Sequence, residues 1–340
     1  MSKLLSIIIP SYNMEHYLRK CLDSLCVDDA APFDLLDVIV VNDGSTDSTS
    51  AIAHEFAERH PSVFRVIDKP NGHYGSCINR GLKEAVGEFV KVLDADDSFD
   101  TNGLKVLLCF LKSIQNPECK IDAVLTDFQK VTAGQKVIST ETTPFKNNTE
   151  ISLDEFTKSP YDRQMHAVTY RRSVFNGLNY VQTEGIAYTD TEWMFLPMTN
   201  VQKLTYLNTI VYKYLVERGG QSMDPSVVYR QSNMLYQTLQ NKIKEYTIRT
   251  KHWSSASEKY ARSHLAREVS GFIFLGLKTS RSLAEIDKIL NQELREIKPI
   301  VGFDGALFAN PIIKFLFAKG CCQHRLLRPL MKCLINYAHN

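Results

Sequence analysis

The chain has 340 residues, of which 44% are hydrophobic and 23% charged, a composition that excludes a mainly disordered protein. Lys and Arg number 40 against 38 Asp and Glu, a net charge of +2, so no global basic field argues for a nucleic-acid partner. At ~150 residues per domain, the length predicts two domains.

The eight cysteines are scattered without a C-x-x-C pair, which fits reduced thiols better than a disulfide framework. After Met1-Ser2-Lys3 the apolar run 4–9 stops at Pro10, shorter than the core of an export signal. Nowhere does an apolar run reach the ~18 residues that a membrane-spanning helix needs. The expectation is a soluble cytoplasmic protein.

In chain order, segments 4–10, 37–42, 63–68 and 88–93 are rich in Ile and Val, as strands buried on both faces are. Between them, 15–26, 46–59 and 75–86 are long enough for crossover helices. This alternation predicts βαβ units, hence an α/β fold with a mainly parallel, Rossmann-like sheet and flanking helices. Ligands of such sheets bind beyond the carboxyl ends of the strands, so the turns after Ile9, Val41 and Leu93 are the ones to inspect. Further on, 122–131 reads as a strand, and 132–148 as a polar stretch without periodicity. Segments 165–170 and 204–214 read as extended, with a short helix over 191–198. From about Pro225 helical spacing dominates to the end, which places a boundary between residues 1–224 and a helical region 225–340.

The sharpest local feature is Lys91-Val-Leu-Asp94-Ala-Asp96-Asp97, three carboxylates directly after an apolar strand. Alternate positions of an extended chain point the same way, so Asp94 and Asp96 can converge, and like charges repel unless a cation sits between them. Mg²⁺ or Mn²⁺, hard cations that take one or two carboxylates plus substrate phosphates, are the natural occupants; the plain alternative is an acidic turn capping the next helix. At a second strand end stands Asn42-Asp43-Gly44-Ser45-Thr46-Asp47, where Asp43 is placed to accept from a nucleobase or ribose. The alternative there is a glycine turn with a Ser or Thr cap. At a third, Pro10-Ser11-Tyr12 offers Tyr12 as a stacking platform for a base or as a half-buried core tyrosine. Asn71-Gly72-His73-Tyr74-Gly75 precedes a helix whose amides can approach a phosphate, with His73 itself read as a solvated loop residue.

Together these turns resemble glycosyltransferase family 2, the inverting nucleotide-sugar transferases of GT-A type fold. The resemblance rests on Ile9-Pro10-Ser11-Tyr12-Asn13, the 42–47 turn, Asn71-Gly72, Ala85-x-Gly87-Glu88-Phe89 and Leu93-Asp94-Ala95-Asp96-Asp97. It implies a GT-A catalytic domain over 1–224, with a nucleotide-binding half at 1–100 and an acceptor half at 101–224. It also implies a nucleotide-diphosphate sugar donor, usually uridine-linked, a saccharide or lipid-linked acceptor hydroxyl, and a role in bacterial cell-surface polysaccharide synthesis. By position, Pro10, Ser11, Tyr12, Asp43 and Asn71 match the donor-nucleotide site. Asp94 matches the ribose or metal-water position, and Asp96 the direct metal ligand. Asp190 in Thr189-Asp190-Thr191-Glu192-Trp193 resembles the general base, with Glu192 in reserve and Trp193 and His166 on the acceptor side. Arg218 resembles a diphosphate contact. One departure is Ile78, which stands where the family commonly carries an arginine.

The rival reading is a non-catalytic nucleotide-sugar-binding or scaffold protein. Residues 311–340 carry Lys314, Lys319, Arg325, Arg328 and Lys332 with no acidic residue among bulky apolar side chains. That pattern suits either a peripheral contact with the inner face of the plasma membrane or packing onto the core.

Overall fold

The computed structural model describes residues 2–27, 30–116, 118–159, 164–216 and 232–279. The chain divides into two compact units, Met1–Gln221 and Ser222–Asn340.

The first unit is built on β1 (Leu5–Ser11), whose seven residues are all buried. It lies between β2 (Leu36–Asn42) and β4 (Phe89–Val92), parallel to both, and β3 (Phe64–Asp68) continues the parallel set outside β2. In the order β3-β2-β1-β4 the first two crossovers step outward on one side of β1, and the third connection passes back to place β4 on its other side. The connections include α1 (Leu18–Asp23), the short α2 (Ala30–Phe33), α3 (Thr49–Arg59) and α4 (His73–Glu84). Asp37 of β2 fixes the lower end of the set. It accepts from Ser6 of β1 at 2.6 Å and pairs with Arg65 of β3 at 2.7 Å.

Beyond β4 the sheet becomes mixed. It continues through β9 (Val168–Arg171), β6 (Ala123–Val131), β10 (Lys203–Leu215) and β5 (Ser98–Phe99). Strand β9 is antiparallel to both β4 and β6, β10 is parallel to β6, and β5 is antiparallel to β10. Helix α5 (Thr101–Ser113), capped by the Asp100 side chain on the Gly103 amide at 2.9 Å, leads from β5 toward β6. Segment 132–148, expected to be irregular, contains β7 (Val137–Glu141), the antiparallel partner of β6. Its side chains are mostly exposed, so no hydrophobic alternation betrays it. The short β8 (Glu150–Ser152) joins β10, and α6 (Leu153–Lys158) follows with a Ser152–Glu155 capping box. Segment 165–170 opens as a 3₁₀ turn (Met165–Ala167) before β9, and the helix expected over 191–198 is α7 (Asp190–Thr199).

In the second unit the described elements are α8 (Ser232–Arg249) and α9 (Ser255–Thr279). Between them Glu268 is bonded by Lys242 at 2.6 Å and His264 at 3.0 Å. Burial opposes its charge, but the two cations outweigh burial and hold the carboxyl at about 2. Among the described residues no helix is long and apolar enough to cross a membrane.

Candidate functional site

The carboxyl ends of β1 and β2 meet the start of α4 at a pocket of about 430 Å³. Pro10, Ser11, Tyr12, Asp43 and Asn71, all expected at a nucleotide, line it together with Met14, His73, Tyr74 and Cys77. Tyr12 is 47% exposed, so its ring is a wall of the pocket and not a core tyrosine. His73, expected to be solvated, is brought onto the lining by a left-handed backbone at φ 64°.

Asp43 sits at the base of this pocket, 2% exposed. Its Oδ1 accepts from the Gly72 amide at 2.9 Å and from Lys69 Nζ. Its main-chain carbonyl accepts from Asn71 Nδ2 at 3.0 Å. Gly44 makes this close stitching possible: at φ 73° it takes a left-handed turn, and a Cβ there would meet the Asn71 amide nitrogen at 3.1 Å. Burial, with Asp43 beside it, pushes the Cys77 thiol up to about 12.

The acidic turn after β4 divides its carboxylates between two jobs. Asp97 is buried, with one oxygen accepting from Tyr212 Oη at 2.7 Å and the other from the Leu215 amide at 2.7 Å. Burial and the neighbouring Asp96 and Asp94 raise its pKa, against those hydrogen bonds. Asp94 is half-buried and accepts from Tyr74 Oη at 2.9 Å. Asp94, Asp97 and His166 bring donor atoms within 4.8 Å of one another; Asp96, half-buried, lies outside this trio. His166 stacks on Tyr214 at 4.7 Å and meets Tyr212 edge-on at 4.7 Å. Burial, then Lys91 and Lys130, bring its imidazole down to about 3, and its Nδ1 is buried without a partner. Lys91, fully buried in β4, donates to the carbonyls of His166 at 2.7 Å and Val168 at 3.0 Å.

Asp190 is the first residue of α7. Burial and then the charges of Asp94 and Asp190 raise the Tyr74 hydroxyl, and both aspartates also act on Tyr214. Asp94 and Asp190, 96 positions apart in sequence, therefore address the same two phenols. The helix start is pinned by its neighbours. Gln182 donates to the Thr189 carbonyl at 2.6 Å, and both oxygens of buried Glu192 accept from Thr183, amide and hydroxyl, at 2.7 Å each. That loop in turn rests on α4: a Cβ on Gly75 would meet the Thr183 carbonyl oxygen at 1.9 Å, and Asn79 donates to the Gln182 carbonyl at 2.8 Å. Trp193 is buried in a cluster with Tyr170, Phe175 and Tyr180. Of the two expected acceptor-side residues on α7, Trp193 packs in the core and Glu192 anchors a loop. Arg218 and segment 311–340 lie outside the described residues.

Sequence reasoning passed over Lys69, Tyr74, Lys91, Asp97, Tyr212 and Tyr214. The two β10 tyrosines carried a usable signal, since positions two apart on a strand share a face. Lys69 and Lys91 carried none, because their partners lie in distant segments.

The profile described as Glycosyl transferase family 2 matches residues 6–178, just over half of the chain. The chain belongs to glycosyl transferase family 2. Among its relatives, the uncharacterized glycosyltransferase YibD of Escherichia coli is 27% identical over 236 residues, 67% of this chain and 65% of YibD. Chondroitin synthase of Pasteurella multocida is 27% identical over 221 residues, 65% of this chain and 21% of that protein. The matches thus span less than two thirds of these relatives' own length. In three dimensions the chain is similar to S. aureus TarS 1-349, crystallised in complex with UDP-GlcNAc, with a TM-score of 0.70 at 20% identity, covering 99% of this chain and 90% of that one. The sheet and its flanking helices are therefore the GT-A fold of this family.

Proposed function

We propose that the chain is an inverting glycosyltransferase that moves a sugar from a uridine-diphosphate sugar to a hydroxyl acceptor in the synthesis of a bacterial cell-surface polysaccharide. The observation that carries this reading is the gathering of Pro10, Ser11, Tyr12, Asp43 and Asn71 onto one pocket beside Asp94. It agrees with a chondroitin synthase among the relatives and with a fold relative crystallised with UDP-GlcNAc.

In this reading Tyr12 stacks on the base and Asp43 accepts from it. Asp190 takes the proton of the acceptor hydroxyl as that oxygen attacks the anomeric carbon in line, so no covalent enzyme intermediate is needed. Glu192 and Gln182 hold the start of α7 so that Asp190 is presented at a fixed place. Tyr74, hydrogen-bonded to Asp94, spaces the two aspartates. Asp94, a half-buried carboxylate beside the pocket, and Asp96, half-buried two positions on, are oxygen donors of the kind a hard divalent cation takes. Asp94 and Asp96 would hold it, while Asp97, with both oxygens engaged, fixes the turn on β10. Mg²⁺ or Mn²⁺ bound there supplies Lewis-acid stabilisation to the departing diphosphate. Arg218 is assigned to the diphosphate, and residues 311–340 to a peripheral contact with the inner leaflet, where a lipid-linked acceptor resides.

Calorimetry with UDP, in Mn²⁺ and in EDTA, tests the donor and metal assignments together. Mn²⁺-dependent binding of UDP, weakened by Asp96→Ala, is expected. Equal affinity of the wild type in EDTA overturns the metal assignment, and no binding under either condition overturns the donor.

A further inference from the structure

Resting on the proposed placement of the base against Asp43, the geometry points to Lys69 as the positioning residue that makes the pocket selective for a base with an N–H donor at ring position 3. Uracil carries that donor; cytosine presents a lone pair at the same place.

The argument starts from a buried carboxylate with unequal oxygens. Lys69 Nζ and the Gly72 amide both donate to Asp43 Oδ1, so Oδ2, on a carboxylate that the Cys77 thiol also bonds and that lines the pocket, keeps acceptor capacity for a ligand. Lys69 is itself held, its ammonium also donating to the Pro70 carbonyl at 2.9 Å, and its side chain is only 16% exposed. It comes from the loop after β3, where Lys69 N bonds the Asn42 carbonyl at 3.0 Å, so the ion pair spans two strand ends and is not a solvated surface contact. Among the described residues that line the pocket none is Lys or Arg; the strong cation next to Asp43 stands behind the lining. A cation so placed supplies the countercharge a buried carboxylate requires and fixes which oxygen faces the ligand. An ionised carboxylate only accepts, so a fixed, charged Asp43 favours N3–H and disfavours a bare N3. Without Lys69 the carboxylate loses the contact that fixes its orientation and can rotate.

Calorimetry of the full chain with UDP and CDP, at saturating Mn²⁺, gives an affinity ratio that tests this. The wild type should favour UDP by roughly 10- to 150-fold, the span of one hydrogen bond to a charged group. Lys69→Met should bring the ratio to within about threefold of unity, and Lys69→Arg should restore most of it, because charge and donors return. Asp43→Asn provides a second arm, in which the carboxylate charge is gone while Lys69 keeps its donors. With Lys69 present its amide oxygen is held at the Oδ1 position and its NH₂ faces the pocket, so preference should turn toward CDP. In Asp43→Asn/Lys69→Met that orientation loses an anchor and the preference should vanish. A folded Lys69→Met with the wild-type ratio, or an unchanged ratio on adding Lys69→Met to Asp43→Asn, overturns the role of Lys69. A wild type that binds neither nucleotide overturns the donor reading instead.

Discussion

Replacing Lys91 by Met should alter stability in a way that depends on pH, and the sign follows from burial. Lys91 is 0% exposed in β4, and desolvation brings it from its ordinary 10.5 down to about 7. Two carbonyl acceptors, together with the Phe99 and Tyr212 rings at 5.9 Å each, favour the charged form and limit that fall. The folded protein holds this proton less tightly than the unfolded chain, so protonation favours unfolding. The full cost is present below about pH 7 and is relieved as pH rises toward the unfolded value. At ~1.4 kcal/mol per pH unit, the wild type should gain up to about 3 kcal/mol relative to Lys91→Met between about pH 7 and about pH 9.5. Loss of the donor to the His166 and Val168 carbonyls adds a pH-independent offset in the opposite sense. Titrations common to both proteins, such as those of the buried tyrosines and cysteines, cancel in the difference. The chain has two tryptophans, so urea unfolding in a Trp253→Phe background reads Trp193, which lies in the same compact unit as Lys91. A stability difference that stays flat across that pH range refutes the reasoning, because it means the carbonyls and rings hold Lys91 fully charged.

Asp190→Asn should cut transfer ~10²–10⁴-fold, the usual cost of losing a general base, while UDP affinity measured by calorimetry stays within about threefold; near-normal turnover moves the proton elsewhere. Glu192→Met keeps the side chain's length but places no strong acceptor at its end, so both the Thr183 amide and the Thr183 hydroxyl lose their partner. A stability loss of ~1–3 kcal/mol is expected in thermal or urea unfolding, together with a fall in transfer rate through the displaced α7 start. Truncation near Asn310 should abolish salt-sensitive sedimentation with anionic liposomes; if the full chain ignores vesicles and the truncated chain is insoluble, the tail is packed core.

The nucleotide side was readable because its signals are local. Each of β1, β2 and β4 is a short, largely apolar run with polar residues within a few positions of its end, so the pattern brought Pro10, Tyr12, Asp43 and Asp94 to one sheet edge, and the family resemblance supplied their expected roles. Strand β7 escaped because an exposed edge strand needs no apolar face. The acceptor side escaped for another reason. Glu192 looks like a reserve base until Thr183 is found against both its oxygens, and Trp193 looks like a pocket wall until Tyr170, Phe175 and Tyr180 are found around it. Asp97 is likewise indistinguishable from Asp96 in sequence, and only the return of β10 with Tyr212 and Leu215 marks it as a structural carboxylate. Such assignments depend on contacts between segments tens to more than a hundred residues apart.

The loop that rests on Gly75 and is clasped by Glu192 restricts how relatives of this chain can exchange parts. A side chain at position 75 requires the Thr183 backbone to withdraw, and Thr183 cannot withdraw while Glu192 holds both its amide and its hydroxyl. Positions 75, 79, 182, 183 and 192 therefore behave as one inherited block. A chimera of two relatives joined anywhere between about 85 and 180 brings together two halves of a clasp that were never fitted to each other, unless the 180–192 stretch travels with α4.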